Sequence, residues 1–159
     1  MFRDMRRIKQ QLSDQETVEI FEKGTSGTLA LLGDDDYPYS LPISYVYADG
    51  KFYFHCAKAG HKIDAIMKSS KASFSVIAQD LIVPEKFTTY FKSAIAFGKI
   101  RILETEEEIL SAIRVLSAKY NSDDKAGMER EISSNYASLC MLELTVEHMT
   151  GKQSIELVD

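Results

Sequence analysis

Two histidines and two lysines crowd one short stretch, FHCAKAGHK, as His55, Lys58, His61 and Lys62, with Gly60 among them. They fall where an aromatic, alternating segment gives way to a helical one. A helix start carries free N–H groups and partial positive charge, so it is a natural seat for a phosphate. Cations placed there oppose the helix dipole unless an anion lies between them. His55 at a strand end and His61 and Lys62 at a helix start can converge on one such anion. The plainer alternative is a solvated polar loop.

Other chemistries find less support. His55 and His61 have no Asp, Glu or Cys at a zinc spacing, so no metal site is expected. There is no GxSxG motif around a serine, no Walker A loop and no GxGxxG turn. The net charge of −5 argues against a general nucleic-acid binder. A basic arm (Arg3, Arg6, Arg7, Lys9) is the local exception, expected to pack loosely or on a partner subunit. No run approaches the roughly 18 apolar residues of a membrane span. The start has no apolar segment of the kind a secretory signal needs. Cys56 and Cys140 lie far apart in no CxxC pattern, which suggests buried free thiols and a cytoplasmic location.

The elements that must position these groups follow from periodicity. Ser40–Tyr47 alternates as a strand, with Pro42 calling for an edge because it has no N–H for a ladder. Asp49-Gly50 suits a tight hairpin turn into the strand Lys51–Cys56. Gly60 to about Ser70 reads as a helix. Ser13–Glu16 and Thr105–Glu108 are capping boxes opening helices over about Asp14–Lys23 and up to Tyr120. A weaker helix is expected around Lys125–Ser133. Further strands are expected at Thr28–Leu32, Ala72–Ala78, Thr88–Leu103 (with Gly98 as a bulge or bend) and Ser138–Val146. Gln79–Phe87 reads as an irregular connection. At 159 residues this is one domain, 1–159. The order of elements predicts an α+β fold with a six-stranded antiparallel sheet closed towards a barrel.

On the segments GTLALLGDDDYPYSLPISYVY, DGKFYFHCAKAGHKIDAI, FKSAIAFGKIRILE and HMTGKQS, the chain resembles the pyridoxamine 5′-phosphate oxidase-like flavoproteins. Within them it is most similar to the 5-nitroimidazole-resistance (Nim-type) branch. The resemblance implies a split β-barrel homodimer with FMN at two sites between subunits. It implies that Lys62 and His61, helped by Lys58 or the Gly60 amide, hold the phosphate. Pro42, Ile43, Ser44 and Tyr45 would pass along the ring edge, and His55, Cys56 and Ala57 would run beside the ring and ribityl chain. Lys92, Ser93 and Ile95 would approach from the long strand near the dimer axis. The implied activity is reduction of small molecules such as nitroaromatics, with NAD(P)H as donor and His55 as a candidate proton donor or ring-orienting group. The alternatives are a flavin- or haem-binding carrier or sensor, with His55 or His61 as axial ligand, and oxidation of a vitamin B6 phosphate. The arginine-rich motifs that oxidation of a B6 phosphate would use are not evident here.

Overall fold

Both capping boxes form. The Ser13 hydroxyl accepts from the Glu16 amide while the Glu16 carboxylate accepts from the Ser13 amide. Thr105 and Glu108 repeat the exchange. The protein is described by a computed structural model over residues 1–158. The described helices are α1 (Asp14–Lys23), α2 (His61–Lys68), α3 (Glu106–Tyr120) and α4 (Lys125–Asn135). The described strands are β1 (Ser26–Leu32), β2 (Pro38–Ser44), β3 (Val46–Ala48), β4 (Lys51–Cys56), β5 (Lys71–Val83), β6 (Thr88–Ile102) and β7 (Cys140–Gln153). They form one antiparallel sheet in the order β2-β1-β5-β6-β7-β4-β3.

The α+β class stands, but the sheet has seven strands where six were expected. The expected strand Ser40–Tyr47 divides at Tyr45. Before it the chain pairs with β1, and after it with β4. The first and last strands of the sheet are therefore consecutive in the chain, joined through one residue without pairing to each other. A flat sheet cannot satisfy that connection, so the sheet must curl until its two ends meet. Tyr45 itself is fully buried, and its hydroxyl donates to the Phe21 carbonyl at 2.7 Å.

At the division Tyr45 leaves one ladder before joining the other, so its amide depends on a side chain. Tyr120, the last residue of α3, supplies the partner: its hydroxyl accepts from the Tyr45 N–H at 3.1 Å. The same hydroxyl lies within donating reach of the Tyr45 and Thr25 carbonyls. Beside it, the Lys119 ammonium bonds the Gly24 carbonyl and sits 4.2 Å from the Tyr45 ring centroid. Tyr120→Phe is expected to cost roughly 1–3 kcal/mol, towards the lower end because water can reach this site. A urea midpoint that falls at unchanged slope would register it.

Two apolar clusters flank the sheet. Inside lie Phe52, Phe54, Phe74 and Tyr45, closed at the ends by Ile20 and Phe21 of α1 and by Ile63, Ala65 and Ile66 of α2. Phe21 meets Phe52 edge-on at 4.9 Å. Outside, Ala112, Ile113 and Leu116 of α3 and Ile132 of α4 cover Val46, Leu103 and Met141.

The outer face also buries a carboxylate. Glu143 on β7 is 5% exposed and bonds Lys51 at 3.0 Å and Arg101 at 2.9 Å, and Arg101 continues to Glu108. Burial pushes the Glu143 carboxyl up, but the hydrogen bonds from Lys51 and Arg101, with their charges, prevail and hold it below its ordinary value. A carboxyl lowered by folding stabilises the folded chain above its ordinary range and loses that contribution as pH falls through the lowered value. Glu143→Gln is therefore expected to cost roughly 1–3 kcal/mol at neutral pH. The gap to the parent should close in acid, which denaturant titrations across pH would measure.

Candidate functional site

The division at Tyr45 leaves Ser44 at the end of one outer strand and His55 on the strand that pairs with the other. Both side chains line one cavity of about 640 Å3 beneath α3 and α4. Ile113, Leu116, Met128, Ile132 and Leu139 give it apolar walls, and Tyr120, Asn121, Asp124, Glu131 and Asn135 bring polar groups. Its size is that of a cofactor or drug-sized ligand site. The two carboxylates already have neighbours: Asp124 caps the Gly127 amide at 2.7 Å, and Glu131 accepts from Asn135 at 2.7 Å.

Sequence reasoning missed this wall. The residues predicted only a weaker helix around Lys125–Ser133, because a helix of low amphipathicity gives no sign of what it covers. Tyr120 carried the nearest signal, an aromatic closing the apolar stripe of α3.

The loop after β4 is built as the sequence suggested, with one change. Gly60 has φ of 122°, a conformation that favours glycine, and its carbonyl accepts from the Ile63 and Asp64 amides. The His61 and Lys62 amides, one residue into α2, head the helix where no intrahelical acceptor precedes them. Lys62 is half-buried beside Cys56. Lys58 is exposed, and neither lysine forms an ion pair with a described residue. His61, by contrast, stacks on Tyr39 at 4.0 Å between ring centroids, with its Nε2 3.7 Å from Asp34. It faces the β1–β2 turn and does not line the cavity that His55 faces. The expected convergence of His55 and His61 on one anion is not built.

Period-two alternation divides the remaining candidates. Pro42 and Ser44 project from the outer face of β2, which is an outer strand, as the proline required. Ile43 and Tyr45 face the core instead, as does Cys56, so their side chains do not border an outer-face ligand. Ala57 is exposed in the loop. On β6, Ser93 and Ile95 share a face. Lys92 lies on the opposite one, in a groove with Glu16, Glu19 and Lys23 of α1. Through the register, Pro42 faces Thr28, Thr28 faces Ser75, and Ser75 faces Ile95. Pro42 and Ile95 thus share the outer face three strand spacings apart, roughly 14 Å.

Among the described residues, no group of three or more His, Cys, Asp or Glu could hold a metal. No described helix is long and apolar enough to cross a membrane.

A curled antiparallel sheet whose ends part beside a helix-covered cavity has solved counterparts. A protein from Bacteroides thetaiotaomicron described as a candidate 5-nitroimidazole antibiotic resistance protein superimposes with a TM-score of 0.76 at 19% identity, over 90% of this chain and 86% of that one. A FAD-binding protein from Mesorhizobium loti gives 0.66 at 19% identity, over 90% and 94%. The FAD and heme binding protein of Mycobacterium smegmatis gives 0.78 at 18% identity, over 95% and 76%. These likenesses establish the fold. The family model for pyridoxamine 5′-phosphate oxidase matches residues 13–153, and the chain belongs to that family. No curated protein sequence matches it.

Proposed function

We propose that the protein is an FMN-dependent oxidoreductase that reduces small molecules such as nitroaromatics, with NAD(P)H as donor, and that it works as a cytoplasmic homodimer of split barrels. The observation that carries this is the cavity at the division of the sheet. Ser44 and His55 border it, and β4 leads from it within a few residues to Lys58, Gly60 and Lys62. That arrangement fits a long ligand with a planar ring at one end and a phosphate at the other. Lys62 and the first amides of α2 would hold the phosphate, with Lys58 beside them. Ser44 and the open edge of β2 would bond the polar edge of the ring. The apolar side chains that α3 and α4 bring to the cavity, Ile113, Leu116, Met128 and Ile132, would keep water from its face, and His55 would orient the ring or deliver a proton. Bound FMN would supply the two-electron chemistry itself, which fits a chain without a nucleophile motif.

The dimer is supported by distance. Ser93 and Ile95 lie too far across the sheet from Pro42 and Ser44 to touch the same ring from one chain. A second copy presenting its own β6 would complete the pocket. The exposed apolar Ile77 and Ile82 on neighbouring β5, whose partners Ser93 and Thr89 share the face of Ile95, favour such a cover.

Purified protein is expected to be yellow and to release FMN on denaturation, identified by chromatography against FAD. Protein that stays colourless, and that neither flavin stabilises thermally, would sink the proposal. The apolar cavity facing His55 also favours a second reading, a haem-binding carrier. Haem addition would then give a Soret band that His55→Ala abolishes.

A further inference from the structure

Cys56 and Cys140 are distant in sequence, yet the fold sets them directly opposite each other at the end of the β4–β7 ladder. Both are free thiols. Opposed residues in an antiparallel pair have Cα atoms about 4.5–5.5 Å apart. A disulfide spans roughly 4.4–6.8 Å between Cα atoms. Both side chains belong to the inner face, Cys140 in the core and Cys56 half-buried at its margin. A separate cleft of about 270 Å3 has Cys140 in its wall, together with Lys58, Glu104, Tyr136 and Leu139. Cys140 is only 6% exposed, and this cleft opens beside it.

We propose that Cys56 and Cys140 form a dithiol site that low-molecular-weight disulfides oxidise to a reversible cross-strand disulfide. One cysteine, as thiolate, attacks the small disulfide, forming a mixed disulfide and expelling one small thiolate. The second cysteine then attacks the protein sulfur of that mixed disulfide and expels the other. The protein thiols give up two protons and two electrons, and the small disulfide becomes two thiols. The cross-link fastens the end of β4 to the start of β7, immediately before the loop carrying Lys58, Gly60 and Lys62. The site does not depend on any cofactor.

The groups facing the pair are Lys62 of α2, Lys58 of the loop, and Glu104 and Tyr136 across the cleft. Burial pushes the Cys56 thiol up to about 12, the Cys140 thiol adds to the rise, and Lys62 acts against it. Cys56 therefore rests as the protonated thiol, and its thiolate fraction should climb roughly tenfold per pH unit across the neutral range.

The test treats native protein with oxidised glutathione and reads intact mass. The expected result is a loss of about 2 Da, with both cysteines protected from alkylation and one linked peptide after digestion. Reaction should be faster at alkaline than at neutral pH, and dithiothreitol should reverse it. Cys56→Ser should instead retain a glutathione adduct on Cys140. Two free thiols after treatment, or adducts on both cysteines, would overturn the proposal, provided that urea-unfolded protein oxidises under the same conditions. The wild-type mass decides the matter even if the variant fails to fold.

Discussion

Gly98→Ala should destabilise the folded chain by roughly 3 kcal/mol or more, a large share of a small domain's stability. A Cβ added at Gly98 would meet the Thr145 carbonyl oxygen at 2.0 Å and its carbon at 2.9 Å. Those are backbone atoms of the paired strand and cannot rotate aside. The position is also where the β6–β7 register shifts, Phe97 facing His148 and Gly98 facing Val146, so Glu147 is the extra residue. Relieving the clash would mean separating the longest strands of the sheet. The melting temperature should fall by about 6–12 °C. Gly50→Ala is the comparison: its Cβ would meet nothing within 4 Å, and only the φ of 78° opposes it. A cost of about 1–2 kcal/mol is expected there. Equal losses at the two positions would mean that close strand approach does not set the need for Gly98.

Under the proposed function, Lys62→Ala should raise the dissociation constant for FMN by roughly 10- to 150-fold. That corresponds to losing a charge-assisted hydrogen bond of about 1.5–3 kcal/mol. Lys62 is half-buried at the second position of α2, and among the described residues no carboxylate pairs with it. Lys99→Ala is the control, since Lys99 is exposed and its nearest carboxylate oxygen, on Glu147, is 4.0 Å away. Quenching of flavin fluorescence during titration reads both. A Lys62→Ala constant within twofold of the parent would put the phosphate elsewhere.

Features fixed by neighbours in sequence were legible from the residues. The capping boxes gave α1 and α3 their starts. Asp49-Gly50 made the turn between β3 and β4, with φ of 49° and 78°. Pro42 marked an outer strand, and Gly98 marked the bulge. What escaped was set by partners far along the chain. Alternation runs unbroken through Tyr45, so nothing local signals that the pairing strand changes there. β7 extends to Gln153 and β5 to Val83 because β6 is long enough to pair with both. From their own residues the last strand was expected to stop at Val146, and Gln79–Phe87 to be an irregular connection. Ser44, His55 and Lys62 lie on the strands and the helix start that the sequence pattern predicted for them. The α3–α4 wall, the turn of His61 towards Tyr39 and the meeting of the two cysteines arise only from tertiary packing.

The single residue that joins the two ends of the sheet has an evolutionary consequence. Inserting or deleting one residue between Pro38 and Ala48 would leave one ladder in place while turning every side chain of the other to the wrong face. That segment can change its residues over time but not its length. The turn at Asp34–Asp36 and the linker before α4 are under no such constraint, and divergence in chain length among relatives should collect there.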